Sequence, residues 1–204
     1  MSTNAVSPRK FDTRRMVQIA ILVSILLVLD VTGIGFIKIP PVSFTIMHIP
    51  VIVGAIILGP GAGAFLGGAF GLLSLVEASL RATSPVDLAF SPFLSGHPLS
   101  SLFMTLVPRI LLGLIAGYLF KWISAKDKTN IVASIVSAGV ATLLHTVLVV
   151  GSLWLLFPDF ALVFKDVITA VISLNFLLEL GVAIVFALAF AKVIPAIRRS
   201  TRRV

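Results

Sequence analysis

A few polar side chains stand inside long apolar runs of this 204-residue sequence, and their types limit the chemistry it can do. Arg109 is the most demanding of them. Its planar guanidinium stays charged and can grip a carboxylate through two parallel hydrogen bonds. Asn175 and Glu179 fall four residues apart, so they share one face of a helix. His145 supplies a donor and an acceptor. Ser91 and His97 lie in a proline-bearing connection between two apolar runs. These groups suit the binding of a small polar molecule with an anionic end. Structural readings stand beside this one. Arg109 can form an ion pair with Glu179 or Asp30, and His145 can be a hydrogen-bonded interior histidine. Catalytic machinery is not visible. The sequence has no cysteine, and its three histidines show no metal-binding spacing. We therefore expect no metal, no cofactor and no catalytic residue. The Gly-rich turn Leu58–Gly63 lacks the Gly-Lys-Ser/Thr of a phosphate loop, so the chain is not expected to hydrolyse nucleotides.

The elements that must position these groups are membrane helices. Hydrophobic residues make up 58% of the chain and charged residues 12%, with a mean hydropathy of +1.14. A soluble domain carries about twice that share of charge. Six apolar runs can be marked, at about Met16–Ile37, Thr45–Leu58, Ala62–Leu80, Ser101–Phe120, Ile131–Phe157 and Val167–Ile194. They lack the alternation of barrel strands, and a backbone in lipid must satisfy its own hydrogen bonds, so helices are expected. The predicted fold is an all-α polytopic membrane protein. It has six spans in one domain over 1–204, with short basic tails at 1–15 and 195–204. With both termini in the cytoplasm, twelve lysines and arginines fall inside and three outside. That imbalance is the positive-inside signature, so it sets the orientation and explains the net charge of +8 without nucleic acid. The first run exceeds 20 residues and shows no small-residue cleavage site, so it reads as a retained helix.

On this topology the intramembrane polar groups cluster at or outside the midplane. Asp30, His48 and Glu77 lie toward the outer ends of their spans. Arg109 and Asn175 are about 12 Å deep at 1.5 Å per residue, and His145 and Glu179 lie near the middle. A pocket open to the outside and closed inward follows. The outer connections at 38–44 and 81–100 contain Pro40, Pro41 and Phe44, and Phe90, Ser91, Phe93 and His97, and can cover it. Small residues recur four apart at Gly63, Gly67 and Gly71, at Gly113 and Gly117, and at Ala20 and Ser24. Such faces allow close helix packing within the bundle or docking of a second membrane subunit.

Two stretches carry a family resemblance. The run from His48-Ile49-Pro50 through Gly59-Pro60, then Gly63-Ala64-Phe65-Leu66-Gly67 and Phe70-Gly71-Leu72, resembles the second and third helices of energy-coupling factor transporter S-components. Pro108-Arg109-Ile110-Leu111-Leu112-Gly113, with Gly117, resembles their fourth. The similarity is greatest to the pantothenate branch, with the pyridoxine or hydroxymethylpyrimidine branch next. It implies a vitamin-binding subunit in a bacterial cell membrane that works with a membrane coupling subunit and two ATP-binding-cassette ATPases. It also implies that Ala20 and Ser24 meet the coupling subunit, with Gly63 and Gly67 as further docking candidates. The loop bearing Pro40, Pro41 and Phe44 would close over the ligand. Chemically, pantothenate would place its carboxylate on Arg109 and its hydroxyl and amide groups on Asn175, His145 and Ser91. A pyridoxine-type ring would favour Glu179 or Asp30. A proton-coupled secondary transporter using Asp30, His145 and Glu179 is the alternative from another class. An intramembrane enzyme would need a motif that the sequence lacks.

Overall fold

The computed structural model describes residues 13–39, 42–83, 85–127, 129–158, 177–186 and 188–189. Helix α1 spans Thr13–Val31, followed by strands β1 (Phe36–Ile39) and β2 (Val42–Thr45). Then come α2 (His48–Leu58), α3 (Pro60–Arg81), the short α4 (Pro85–Ala89), α5 (Pro98–Ile123) and α6 (Ile131–Leu156). A further apolar helix, α7, covers Leu177–Phe186. The chain is thus helical, as expected. Among the described residues, α3, α5 and α6 are long and apolar enough to cross a membrane.

The first helix ends six residues before the expected boundary at Ile37. Gly33 adopts a φ of +73°, a left-handed conformation that only glycine reaches cheaply, and the helix stops there. The apolar run continues past it as an antiparallel hairpin, with Phe36 opposite Thr45 and Ile39 opposite Val42. These residues are mostly β-branched or aromatic, which suits a strand. The expected loop at 38–44 is therefore largely strand. Phe44 lies on β2, while Pro40 and Pro41 lie outside the described residues. The second helix begins at His48 rather than Thr45, and the 81–100 connection contains α4.

The centre of the bundle is α3 against α5. Their glycines interlock in antiparallel register. A Cβ on Gly63 would fall 2.5 Å from the Gly113 carbonyl oxygen. One on Gly67 would fall on the Arg109 carbonyl, and one on Gly117 2.5 Å from the Pro60 Cα. The two backbones touch with no side chain between them, and each step of four along α3 matches a step of four along α5. Gly63 and Gly67 are consequently buried inside the chain. Their expected role in docking a partner is corrected to packing within the bundle. The remaining core adds Leu26, Met47, Val51, Phe70 and Leu112, with small alanines of α6.

Helix ends meet in a consistent order. Arg15 Nη2 donates to the Leu58 carbonyl at 3.3 Å, joining the start of α1 to the end of α2. At the opposite end Arg81 Nη1 donates to the Asp30 carbonyl at 3.2 Å and to Glu77 Oε2 at 3.1 Å. Asp30 belongs to this α1–α3 cluster.

The turn before α6 is held by Asp127. Its Oδ2 accepts from the Ala133 N–H at 2.9 Å, and its Oδ1 accepts from Thr129 N–H and Oγ1 at 3.0 and 2.7 Å. Bonds from Ala133 and Thr129 favour the charged form and lower the carboxyl below its ordinary value. The stabilisation is full above the unfolded carboxylate value of about 3.9 and is lost as pH falls through the lower folded value. We expect Asp127→Ala to lower the melting temperature of the detergent-purified protein at pH 7. The gap to wild type should close on acidification below pH 4. An equal gap at both pH values would refute the assignment.

Candidate functional site

The site is built around Phe70, a fully buried side chain of α3. Arg109 Cζ lies 5.6 Å from the centre of its ring and 5.0 Å from that of Phe90, so the guanidinium is flanked by two aromatic rings. His145 lies 6.3 Å from Phe70, centre to centre, and Phe36 of β1 lies 6.4 Å away.

Arg109 owes its position to its neighbour. Pro108 has no N–H, so it cannot supply the helical hydrogen bond to the Met104 carbonyl. Arg109 Nη1 donates to that carbonyl instead, at 2.8 Å. The proline thus frees an acceptor and the next residue uses it to fix its own side chain. Arg109 is only 6% exposed, yet its Nε has no hydrogen-bond partner among the described residues.

Glu179 of α7 is buried and acts on Arg109 electrostatically. Its Oε1, however, accepts from the Thr45 N–H at 3.2 Å, tying α7 to the base of the hairpin. The hairpin is held from the other side by Thr45 Oγ1, which donates to the Gly35 carbonyl at 2.9 Å. Of the two expected ion-pair partners, Asp30 is with Arg81 and Glu77, and Glu179 has taken a backbone donor.

His145 is buried, with Nε2 unpartnered among the described residues. Asn175 lies outside the described residues. The structure does not bring Ser91 and His97 to the site as open groups. Ser91 is fully buried, shares a 2.9 Å hydrogen bond with Ser79 Oγ, and accepts from the Phe93 and Leu94 N–H groups at 3.3 Å. Its hydroxyl organises the loop that carries Phe90. The hydroxyl expected to serve a ligand is thus already engaged within the loop. His97 is exposed and packs edge-on against Phe157 at 5.8 Å, holding the loop to the end of α6. Ala20 and Ser24 are exposed and line a shallow apolar groove along α1 with Val17, Ile21 and Val28.

The sequence pattern puts His48 toward the outer end of its span. In the structure the ring is 1% exposed, under the hairpin and beside α6 and α7. The backbone of Thr45 and Glu179 lies beside it. They interact with the ring, but neither ring nitrogen makes a hydrogen bond of good geometry to a described group. Thr142, one turn before His145 on α6, likewise has a buried hydroxyl without a partner among the described residues. Only the position of these side chains under tertiary cover reveals them.

The arrangement offers one buried cation between aromatic rings and, beside it, neutral hydrogen-bonding groups. The sequence profile of a family described as "ECF transporter, substrate-specific component" matches residues 14–197. A protein named "Pantothenic acid transporter PanT", from Lactococcus lactis subsp. cremoris (strain MG1363), is 35% identical over 166 residues. The match covers 78% of this chain and 80% of that protein. A "Pantothenate transporter PanT" from Leuconostoc mesenteroides subsp. mesenteroides is 40% identical over 84 residues, which is 41% of this chain and 37% of that protein.

Proposed function

Since the chain belongs to the family of ECF transporter substrate-specific components, we propose that it captures pantothenate from outside a bacterial cell membrane. It then passes the vitamin inward together with a membrane coupling subunit and two ATP-binding-cassette ATPases, which hydrolyse the ATP. Six spans with both termini cytoplasmic are part of this reading, supported by the charge asymmetry of the sequence. The observation that carries the ligand assignment is Arg109. A buried guanidinium, fixed at one nitrogen and flanked by aromatic rings, leaves its Nε edge for a carboxylate. An uncharged ring compound would leave that charge without a partner in a poorly solvated site, which is costly. Glu179, His145 and Asn175 complete the pocket, and the hairpin with Pro40, Pro41 and Phe44 covers it. Ala20 and Ser24 on the exposed face of α1 meet the coupling subunit.

The test is equilibrium binding by the purified chain in detergent to pantothenate, pyridoxine and hydroxymethylpyrimidine. We expect saturable binding of pantothenate alone. Preference for either ring compound would keep the family and overturn the ligand. Failure to bind all three would overturn the vitamin-capture reading.

A further inference from the structure

Three buried polar groups of the site are left unused by the carboxylate. They are the two ring nitrogens of His48, the Nε2 of His145 and the Thr142 hydroxyl, none of which makes a hydrogen bond of good geometry to a described residue, although the backbone of Thr45 and Glu179 lies beside His48. A buried polar atom without a hydrogen bond is costly, and native proteins keep few of them. Here they converge. Thr142 and His145 are one turn apart on α6 and so share a face. His48 and His145 lie close enough to interact electrostatically, where α2 meets α6. His145 packs on Phe70, the ring that also carries Arg109.

The chemistry of this group differs from that of Arg109. A neutral imidazole has one donor and one acceptor, and a threonine hydroxyl is both. Such a set pairs poorly with an anion, which only accepts. It pairs well with hydroxyl and secondary amide groups, which both donate and accept. We propose that His48 and Thr142, with His145, form a second subsite that reads the hydroxylated amide end of the ligand and sets its specificity. The inference rests on the pantothenate reading and deepens it. Arg109 reads the charge and the His48–Thr142 subsite reads the hydroxyls, with the Phe70 ring between them. A site built to bond hydroxyls rejects an analogue lacking them strongly, because its own polar groups are then left unpaired.

The probe is 3,3-dimethylbutanoyl-β-alanine, which keeps the carboxylate, the amide and a branched apolar acyl group but has no hydroxyl. The full chain in detergent is titrated with it and with pantothenate. We expect wild type to prefer pantothenate by about a hundredfold or more. In Thr142→Val and His48→Phe the preference should shrink at least tenfold, while affinity for the hydroxyl-free analogue stays within about threefold of wild type. Retained binding of the analogue shows that each variant is folded. Thr142→Val is nearly isosteric and keeps the test readable if His48→Phe does not fold. A wild-type preference surviving in Thr142→Val overturns the proposal. If wild type binds neither compound, the pantothenate reading itself has failed, and that result is distinct from the first.

Discussion

Arg109→Ala is expected to weaken pantothenate binding by roughly a hundredfold to ten-thousandfold. A hydrogen bond to a charged group contributes about 1.5–3 kcal/mol, and the side-on grip of a carboxylate makes two. Each 1.4 kcal/mol is about tenfold in affinity. The loss should be specific to charge. Pantothenyl alcohol, in which the carboxylate is reduced, should bind Arg109→Ala at least as well as wild type, because it leaves the buried charge of the wild type unpaired. Arg109→Lys should recover only part of the affinity, since an ammonium keeps the charge but not the planar fork. Isothermal titration of the three proteins with both compounds decides the matter. Equal losses for acid and alcohol would mean that Arg109 is a packing residue, anchored to Met104 for the sake of α5.

The second large effect concerns the scaffold. Gly67→Leu is expected to yield no folded protein, and Gly67→Ala to destabilise by about 1–3 kcal/mol or more, the usual range for overpacking. The reason is that the obstacle is the Arg109 carbonyl, which is backbone and has no rotamer to move into. The neighbouring glycine is the control. A Cβ on Gly68 meets only Ile110 Cγ1, at 3.8 Å, which is ordinary contact. Gly68→Ala should be within about 0.5 kcal/mol of wild type, like other unobstructed substitutions, or slightly stabilising through helix propensity. Melting curves and size-exclusion profiles in detergent separate the two. Similar behaviour of Gly67→Ala and Gly68→Ala would contradict the interlocked register.

Much of this architecture is legible in the sequence, and the exceptions share a cause. Hydropathy marks α3, α5 and α6 because length and apolarity are local properties. The glycine spacing marks their contact because four residues is nearly one helical turn. Hydropathy does not see the hairpin. Phe36 and Ile37 extend the apolar run of α1, and an apolar strand has the same hydropathy as an apolar helix. Arg109 could be singled out from the sequence because charge at depth is conspicuous by itself. The contacts of Ser91 and His97 are not legible, because their partners, Ser79 and Phe157, lie outside the local pattern. His48 is the converse case. Its depth along the helix suggests water, and only the segments folded over it show that it is buried.

The single residue between α2 and α3 has a mechanical consequence. Gly59, at φ +91°, is all that separates Leu58 from Pro60. No slack exists there, and α3 is keyed to α5 along its length, so these three helices have nothing to bend about. His48, Phe70 and Arg109 of the proposed site all stand on these three helices, so they keep fixed distances from one another. Thr142 and His145 on α6 and Glu179 on α7 lie outside this joint, so adjustment to a ligand is expected from those helices and from the hairpin.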